Sequence, residues 1–430
     1  MNSQYPIRAT LSSLSLALIL LACATAGYAN TVSVTVACPA QSVNAQLAAL
    51  NPADQNTVTI SGNCTENVVV SGFANLTLQG PATLNQPSQN ATALMIRKSD
   101  TVLVSNVTFQ GSPSSNVTGP MVIAANSTSV GFNNCYFMSS GGSGIEIDSS
   151  NVGLNAGMIF QSATQGMIVT GASSVSLNGW DPNSPVYILD NGAKGQGDGI
   201  TVGQGGSITM GPYVQVIGNS GNGLSLTAAS ATGCCGSAMG SGSGSMQPGP
   251  LFAANKGWGI YAAAHSLLTL VGATSGPPMV TVSNNTQGGI WAEDSEAGLY
   301  WGVTVGYNGD KTQQNPFGGV YVSHNSVLNA QGGSISNNNG PGILASQGAA
   351  VTVCCSETIT ANSGSGVYVQ VNASADFWDS TNIISGNTPA DLTCVAGGIA
   401  AVEQGQTGGI AGSTKKSCPN FYELAPRKHK

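Results

Sequence analysis

One pattern constrains this chain more than any other. A glycine followed by an apolar residue returns at Gly144, Gly166, Gly199, Gly223, Gly259, Gly289, Gly319, Gly342 and Gly366. The intervals are 22, 33, 24, 36, 30, 30, 23 and 24 residues, which reads as a unit of 22 to 24 residues with loops inserted in some copies. A repeat of this length is the mark of a solenoid, in which one unit cannot bury its apolar face alone and stacks on its neighbours.

Aligned on that glycine, the first residue after it is Ile145, Met167, Ile200, Leu224, Ile260, Ile290, Val320, Ile343 and Val367. The third is Ile147, Val169, Val202, Leu226, Ala262, Ala292, Val322, Ala345 and Val369. The residue between them is mixed, from Glu146 and Thr201 to Trp291 and Tyr368. Strict alternation predicts a strand with one face buried and one outward. Further apolar pairs such as Val175/Leu177, Ile208/Met210, Leu268/Leu270 and Val351/Val353 predict a second strand in each unit. A third is predicted at Val216, Phe252, Val282, Ile335, Ile359 and Ile384. The expected fold is all-β: a single right-handed parallel β-helix, three short parallel sheets around one core, the hand following from parallel crossovers. An Asn column four residues before the glycine, at Asn219, Asn255, Asn285, Asn315, Asn338 and Asn362, predicts an amide ladder at the bends.

Units such as Asn219-Ser-Gly221-Asn-Gly223-Leu224 and Asn338-Asn-Gly340-Pro-Gly342-Ile343 resemble the β-helix repeats of the pectin-lyase-like superfamily over roughly residues 57 to 392. The resemblance implies the fold. It does not imply one activity, since that superfamily contains lyases, hydrolases, epimerases, tailspikes and inert surface proteins.

The ends suggest export and capping. Arg8, the apolar run Leu14 to Ala22 and the small residues before Asn30 predict a signal peptide over 1–29. Leu20-Leu21-Ala22-Cys23 offers an alternative, a lipid-bearing Cys23. No segment has the ~20 apolar residues of a membrane span. Residues 30–56 are expected to cap the first coil, with Ser42 opening a helix to Leu50 whose Val43, Leu47 and Leu50 share a face. The β-helix is expected over 57–392, followed by a C-terminal cap and basic tail over 393–430. Disulfides are expected between Cys38 and Cys64 and between Cys394 and Cys418. The vicinal pairs Cys234-Cys235 and Cys354-Cys355, and Cys135, leave the remaining connectivity open.

Charge narrows the functional classes. Charged residues are 7% of the chain, far below the ~25% of a typical domain. Without Arg8, ten Lys/Arg face eighteen Asp/Glu, a formal charge of −8. Nucleic acid is thereby disfavoured as a partner, and an acidic polysaccharide is an awkward one. No cofactor is expected. Nor is a metal, because the chain has three histidines, His265, His324 and His429, and no C-x-x-C pair. Of the groups that the resemblance implies for an enzyme, an Asp-Asp pair is absent, and Arg97, the only Arg between the signal segment and the tail, has no acidic cluster beside it to hold calcium. Catalytic candidates are limited to Glu146 and Asp148, two apart on one strand, with Glu293, Asp294 and Glu296 as a second acidic patch.

The remaining signal is aromatic. The outward column holds Tyr261, Trp291, Tyr321 and Tyr368, interrupted by Leu344. A row of rings at ~4.8 Å per coil, on a face read as otherwise small and polar, suits sugar stacking or protein contact. It equally suits a ladder that stabilises parallel strands. The sequence thus points to an exported, non-catalytic surface or envelope protein that takes a polysaccharide or cell-surface glycan, with a polysaccharide-active enzyme as the alternative.

Overall fold

The computed structural model describes residues 29–88, 91–111, 118–234, 247–272, 280–310, 312, 317–403 and 416–424. The signal-peptide reading, Cys23, Cys235, Asn315, His429 and the last six residues fall outside them.

The chain is a right-handed parallel β-helix, its described strands stacked coil on coil in parallel sheets. Its first sheet has fourteen strands, stacked in chain order from Val68–Ser71 to Lys416–Ser417. All eighteen aligned positions of the first strands are buried, as are the apolar pairs of the second strands and the residues from Val216 to Ile384 in the third. Every pairing among the described strands is parallel, and along the first sheet the register is in step, so Ile260 meets Ile290 and Tyr261 meets Trp291. The side-chain period of two then fixes which residue of each strand faces in.

The second and third sheets are not separate along the whole helix. Up to the strand Asn151–Phe160, one long strand per coil forms both. Its first half pairs with Ser174–Asn178 and its second with Val186–Leu189, so the two sheets part from that coil onward. Gly179 to Pro185 fill the gap and contain two prolines, which cannot donate to a ladder. In three of the earlier coils a single left-handed residue makes the bend: Asn106 at φ 56°, Asn134 at φ 51° and Ala156 at φ 48°. Asn tolerates that conformation better than most residues, and Ala156 adopts it without that help.

The amide ladder runs through Asn191, Asn219, Asn255, Asn285, Asn308, Asn338, Asn362 and Asn387. Each Nδ2 donates to the next Oδ1 at 2.9–3.0 Å, and each backbone N–H donates to the same oxygen. The predicted rung at Asn315 is corrected to Asn308. The inserted loop lies between Asn308 and Gly319, so counting back from the glycine lands inside the insertion. A second ladder, of serines, was not read from the sequence: the N–H of Ser266 donates to Ser295 Oγ and that of Ser295 to Ser326 Oγ.

At the N-terminus the helix Val43–Ala49 is capped by Ser42, whose Oγ accepts from Ala45 N–H. Glu66 of the next coil accepts from Val43 N–H at 2.6 Å, setting a carboxylate at the positive end of the helix. Asn44 bonds the edge strand, accepting from Val69 N–H and donating to Asn67 O, and so covers an otherwise open sheet edge. Paired strands extend beyond 57–392 at both ends. Thr31–Ala37 pairs with Gln55–Thr65, and Phe421–Leu424 with Ile399–Glu403. Cys38 is bonded to Cys64 and Cys394 to Cys418. The open connectivity resolves in part: Cys354 is bonded to Cys355, and Cys135 is a buried free thiol.

Candidate functional site

Three successive first strands, Trp258–Ala263, Gly288–Glu293 and Val320–Ser323, bring the aromatic column together. Register pairs Tyr261 with Trp291 and Trp291 with Tyr321. Their ring centroids lie 4.8 and 5.6 Å apart, and all three side chains are half-buried. Tyr368 is not brought into this group. Leu344 lies between it and Tyr321 in the register.

Two further rings, absent from the sequence reading, complete the cluster. Trp258 is buried, 5.5 Å from Trp291 and 6.4 Å from Tyr321. Phe317, 39% exposed, stacks on Tyr321 at 5.2 Å and meets Trp258 at 5.5 Å. The available signal was the residue before the repeat glycine, Trp258 in one coil and Gly288 in the next. A Cβ at Gly288 would collide with the Trp258 indole, so the indole occupies the place of that side chain.

The polar tips of the rings are engaged by one diagonal rule. Tyr261 Oη donates to Glu293 Oε2 at 2.7 Å, Trp291 Nε1 donates to Ser323 Oγ at 3.1 Å, and Tyr321 Oη accepts from Ser346 Oγ at 3.2 Å. Glu293 also faces His324 Nδ1 at 3.3 Å, and Asp294 faces His265 Nδ1 at 3.5 Å. Thus two of the chain's three histidines, and the acidic patch read from the sequence, stand at the ends of the strands that carry the rings. Beyond them, His265, Leu267, Asp294, Glu296, Asn325 and Val327 line a shallow open groove. Burial, reinforced by Glu293, pushes the Tyr261 phenol up to about 12. It stays protonated at neutral pH and is a hydrogen-bond donor, the opposite of what a phenolate base requires.

The expectation of a small, polar outward face is corrected. In register before Glu146 the column holds Val69, Met95 and Ile123, and Ile168 follows it. Only Thr201 and Ser225 separate that apolar stretch from Tyr261. Glu146 therefore lies between Ile123 and Ile168, accepting from Ser143 Oγ at 2.8 Å, and Asp148 between Ala125 and Thr170. Among their register partners there is no base, cation or ring.

Among the described residues one trio has metal-ligand proximity, Cys354, Cys355 and Asp379. Its two sulfurs are bonded to each other, so neither is a thiolate. The helix Val43–Ala49 is seven residues long, and no helix among the described residues is long and apolar enough to cross a membrane.

No family model matches the chain, and no curated protein matches its sequence. Solved structures do. The A-module of the mannuronan C-5 epimerase AlgE6 of Azotobacter vinelandii is 13% identical, over 90% of this chain and 95% of that one, with a TM-score of 0.30. PfbA, a surface adhesin of Streptococcus pneumoniae, is 11% identical over 76% and 86%, with a TM-score of 0.39. The receptor-binding tailspike of bacteriophage Det7 is 11% identical over 96% and 79%, with a TM-score of 0.29. Likeness at this level leaves function to be read from the chain's own side chains.

Proposed function

We propose that this chain is an exported, non-catalytic β-helix surface protein that binds a glycan over the ring cluster of Trp258, Tyr261, Trp291, Phe317 and Tyr321. The observation that carries the reading is the convergence of those rings with Glu293, His324, Asp294 and His265 on three successive coils. The chain has only 7% charged residues, and four ionisable side chains stand beside these five rings. Rings supply apolar faces for the C–H surface of a sugar, and carboxylates and imidazoles beside them accept and donate to its hydroxyls. Disulfides support an oxidising, extracytoplasmic location.

The alternative, a polysaccharide-active enzyme, rests on Glu146 and Asp148, which stand in register with Ile123, Ile168, Ala125 and Thr170. Acid–base work needs partners that tune or share the proton, and those neighbours offer none.

The test is a glycan array followed by titration of the mature protein. Phe317→Ala is expected to weaken a bound glycan about tenfold, the loss of one ring platform. Trp180→Ala, an exposed Trp on another coil, is expected to leave it unchanged. Equal loss in both variants, or no binding to any glycan, overturns the proposal. Release of reducing ends or unsaturated products from a bound glycan would favour the enzyme.

A further inference from the structure

We infer that the glycan taken at the ring cluster carries free amino groups, so that it is an amino-sugar polymer and not a neutral or uronic one. The inference rests on the binding proposal above and adds the chemical class of the ligand.

The rings make the site and the charge beside them sets the class. Glu293, Asp294 and Glu296 fall within four residues on one coil, directly after Trp291, the middle ring of the column. Glu293 is tied to the cluster itself through the Tyr261 hydroxyl at 2.7 Å. Asp294 and Glu296 line the groove at the strand ends. The lysines of these coils, Lys256 and Lys311, precede the first strands in the sequence, whereas the acids follow them; Lys311 lies outside the described residues. Lys256 is five residues before Tyr261, at the opposite end of its strand from the acidic rim.

A uronate or sulfate brought against this rim meets like charge and is disfavoured. A neutral sugar gains ring contact and hydrogen bonds but leaves Glu293 and Asp294 with no partner that can carry positive charge, among the described residues, beyond the imidazoles of His324 and His265 at 3.3 and 3.5 Å. A sugar ammonium satisfies both halves of the site. It is attracted by the faces of Trp and Tyr rings, and it donates to a carboxylate beside them. Glu293 and the Tyr261–Trp291 ring pair, at 4.8 Å, stand close enough together for one amino sugar to span them.

The experiment titrates the full chain, at low and high salt, with three hexasaccharides: β-1,4-linked glucosamine, its fully N-acetylated form, and an oligogalacturonate. The glucosamine hexamer is expected to bind about tenfold tighter than the acetylated one at low salt, from a few exposed charge and cation–π contacts acting together. The ratio should shrink toward one at high salt and in the Glu293→Gln/Asp294→Asn double variant, whose folding is checked by its melting curve. Equal or weaker binding of the free amine, a preference that survives in the double variant, or strongest binding of the uronate overturns this inference alone. Binding of none of the three, with an array equally silent, overturns it together with the glycan-binding proposal.

Discussion

Asn387 ends the buried amide ladder on a carboxylate: its backbone N–H and its Nδ2 both donate to Asp391 Oδ1, at 3.1 and 3.0 Å. Each rung before it does the same to the next Asn, and each Nδ2 also reaches back to a strand carbonyl, as Asn285 does to Phe252 O at 3.1 Å. Every buried polar atom of such a rung is satisfied, but only while the residue beyond it presents a side-chain oxygen, an Asn amide or, at the end, the Asp391 carboxylate.

Asn285→Ala removes the acceptor of Asn255 N–H and Nδ2 and the donor to Phe252 O in one step. Leaving buried groups unpaired costs about 1–3 kcal/mol each, less what relaxation recovers. The variant is expected to lose several kcal/mol in denaturant unfolding, whereas Asn183→Ala, at an exposed turn position, should lose far less. Comparable losses would mean that the ladder contributes no more than an ordinary turn.

The register makes a sharper demand at two adjacent residues. Ile343 is fully buried and Leu344 half-exposed. Ile343→Asp should bury an unpaired carboxylate and cost more than about 4 kcal/mol, while Leu344→Asp should cost about 1 kcal/mol or less. Thermal unfolding of both variants checks it, and equal shifts would exclude this register.

This register was legible because alternation needs nothing but the residues themselves. What the sequence hid had three physical causes. Insertions hid the Asn308 rung: a loop of free length breaks the count from glycine to asparagine while the ladder in space is uninterrupted. Cross-coil contact hid two more features. Trp258 joins the cluster by lying over Gly288 of the next coil, and Glu66 reaches back to Val43 from the coil above. The fusion of the second and third sheets depends on single left-handed residues such as Asn106 and Asn134, which look in the sequence like any other surface asparagine.

Glu357 is buried and its carboxyl is pushed up to about 8, chiefly by burial, with Gly333 N–H donating to Oε2 at 2.7 Å. Between its ordinary value near 4.5 and about 8, the folded protein keeps a proton that the unfolded chain releases. Raising pH through that window therefore favours unfolding. Glu357→Gln, which keeps an acceptor for Gly333, is expected to raise the melting temperature at pH 8 and leave it nearly unchanged at pH 4. An equal gain at both values would locate the effect elsewhere.

Thiol chemistry tests the ends and the interior together. Peptide mapping without reductant should recover Cys38 with Cys64, Cys394 with Cys418, and Cys354 with Cys355. The first of these closes 26 residues, for which loop entropy gives about 3–4 kcal/mol. Cys135 is raised to about 12 by burial, so alkylating reagents should reach it only after unfolding. Rapid labelling of Cys135 in the folded protein would contradict its enclosure between the strands.

The ring cluster bears on stability as well as on binding, and one substitution separates the two. Trp291 meets Trp258, Tyr261 and Tyr321 and donates to Ser323. Each aromatic pair is worth about 0.5–1.5 kcal/mol beyond its buried area. Trp291→Ala should therefore melt earlier by several degrees, although the side chain points outward. Tyr368→Ala, separated from the cluster by Leu344, should change neither melting nor binding appreciably. Binding of the Trp291→Ala protein, measured well below its melting temperature, should fall roughly ten- to hundredfold if a sugar stacks there. A variant that melts earlier yet binds every glycan as the native protein does would make the rings a structural ladder alone, and the glycan site would have to be sought on another face.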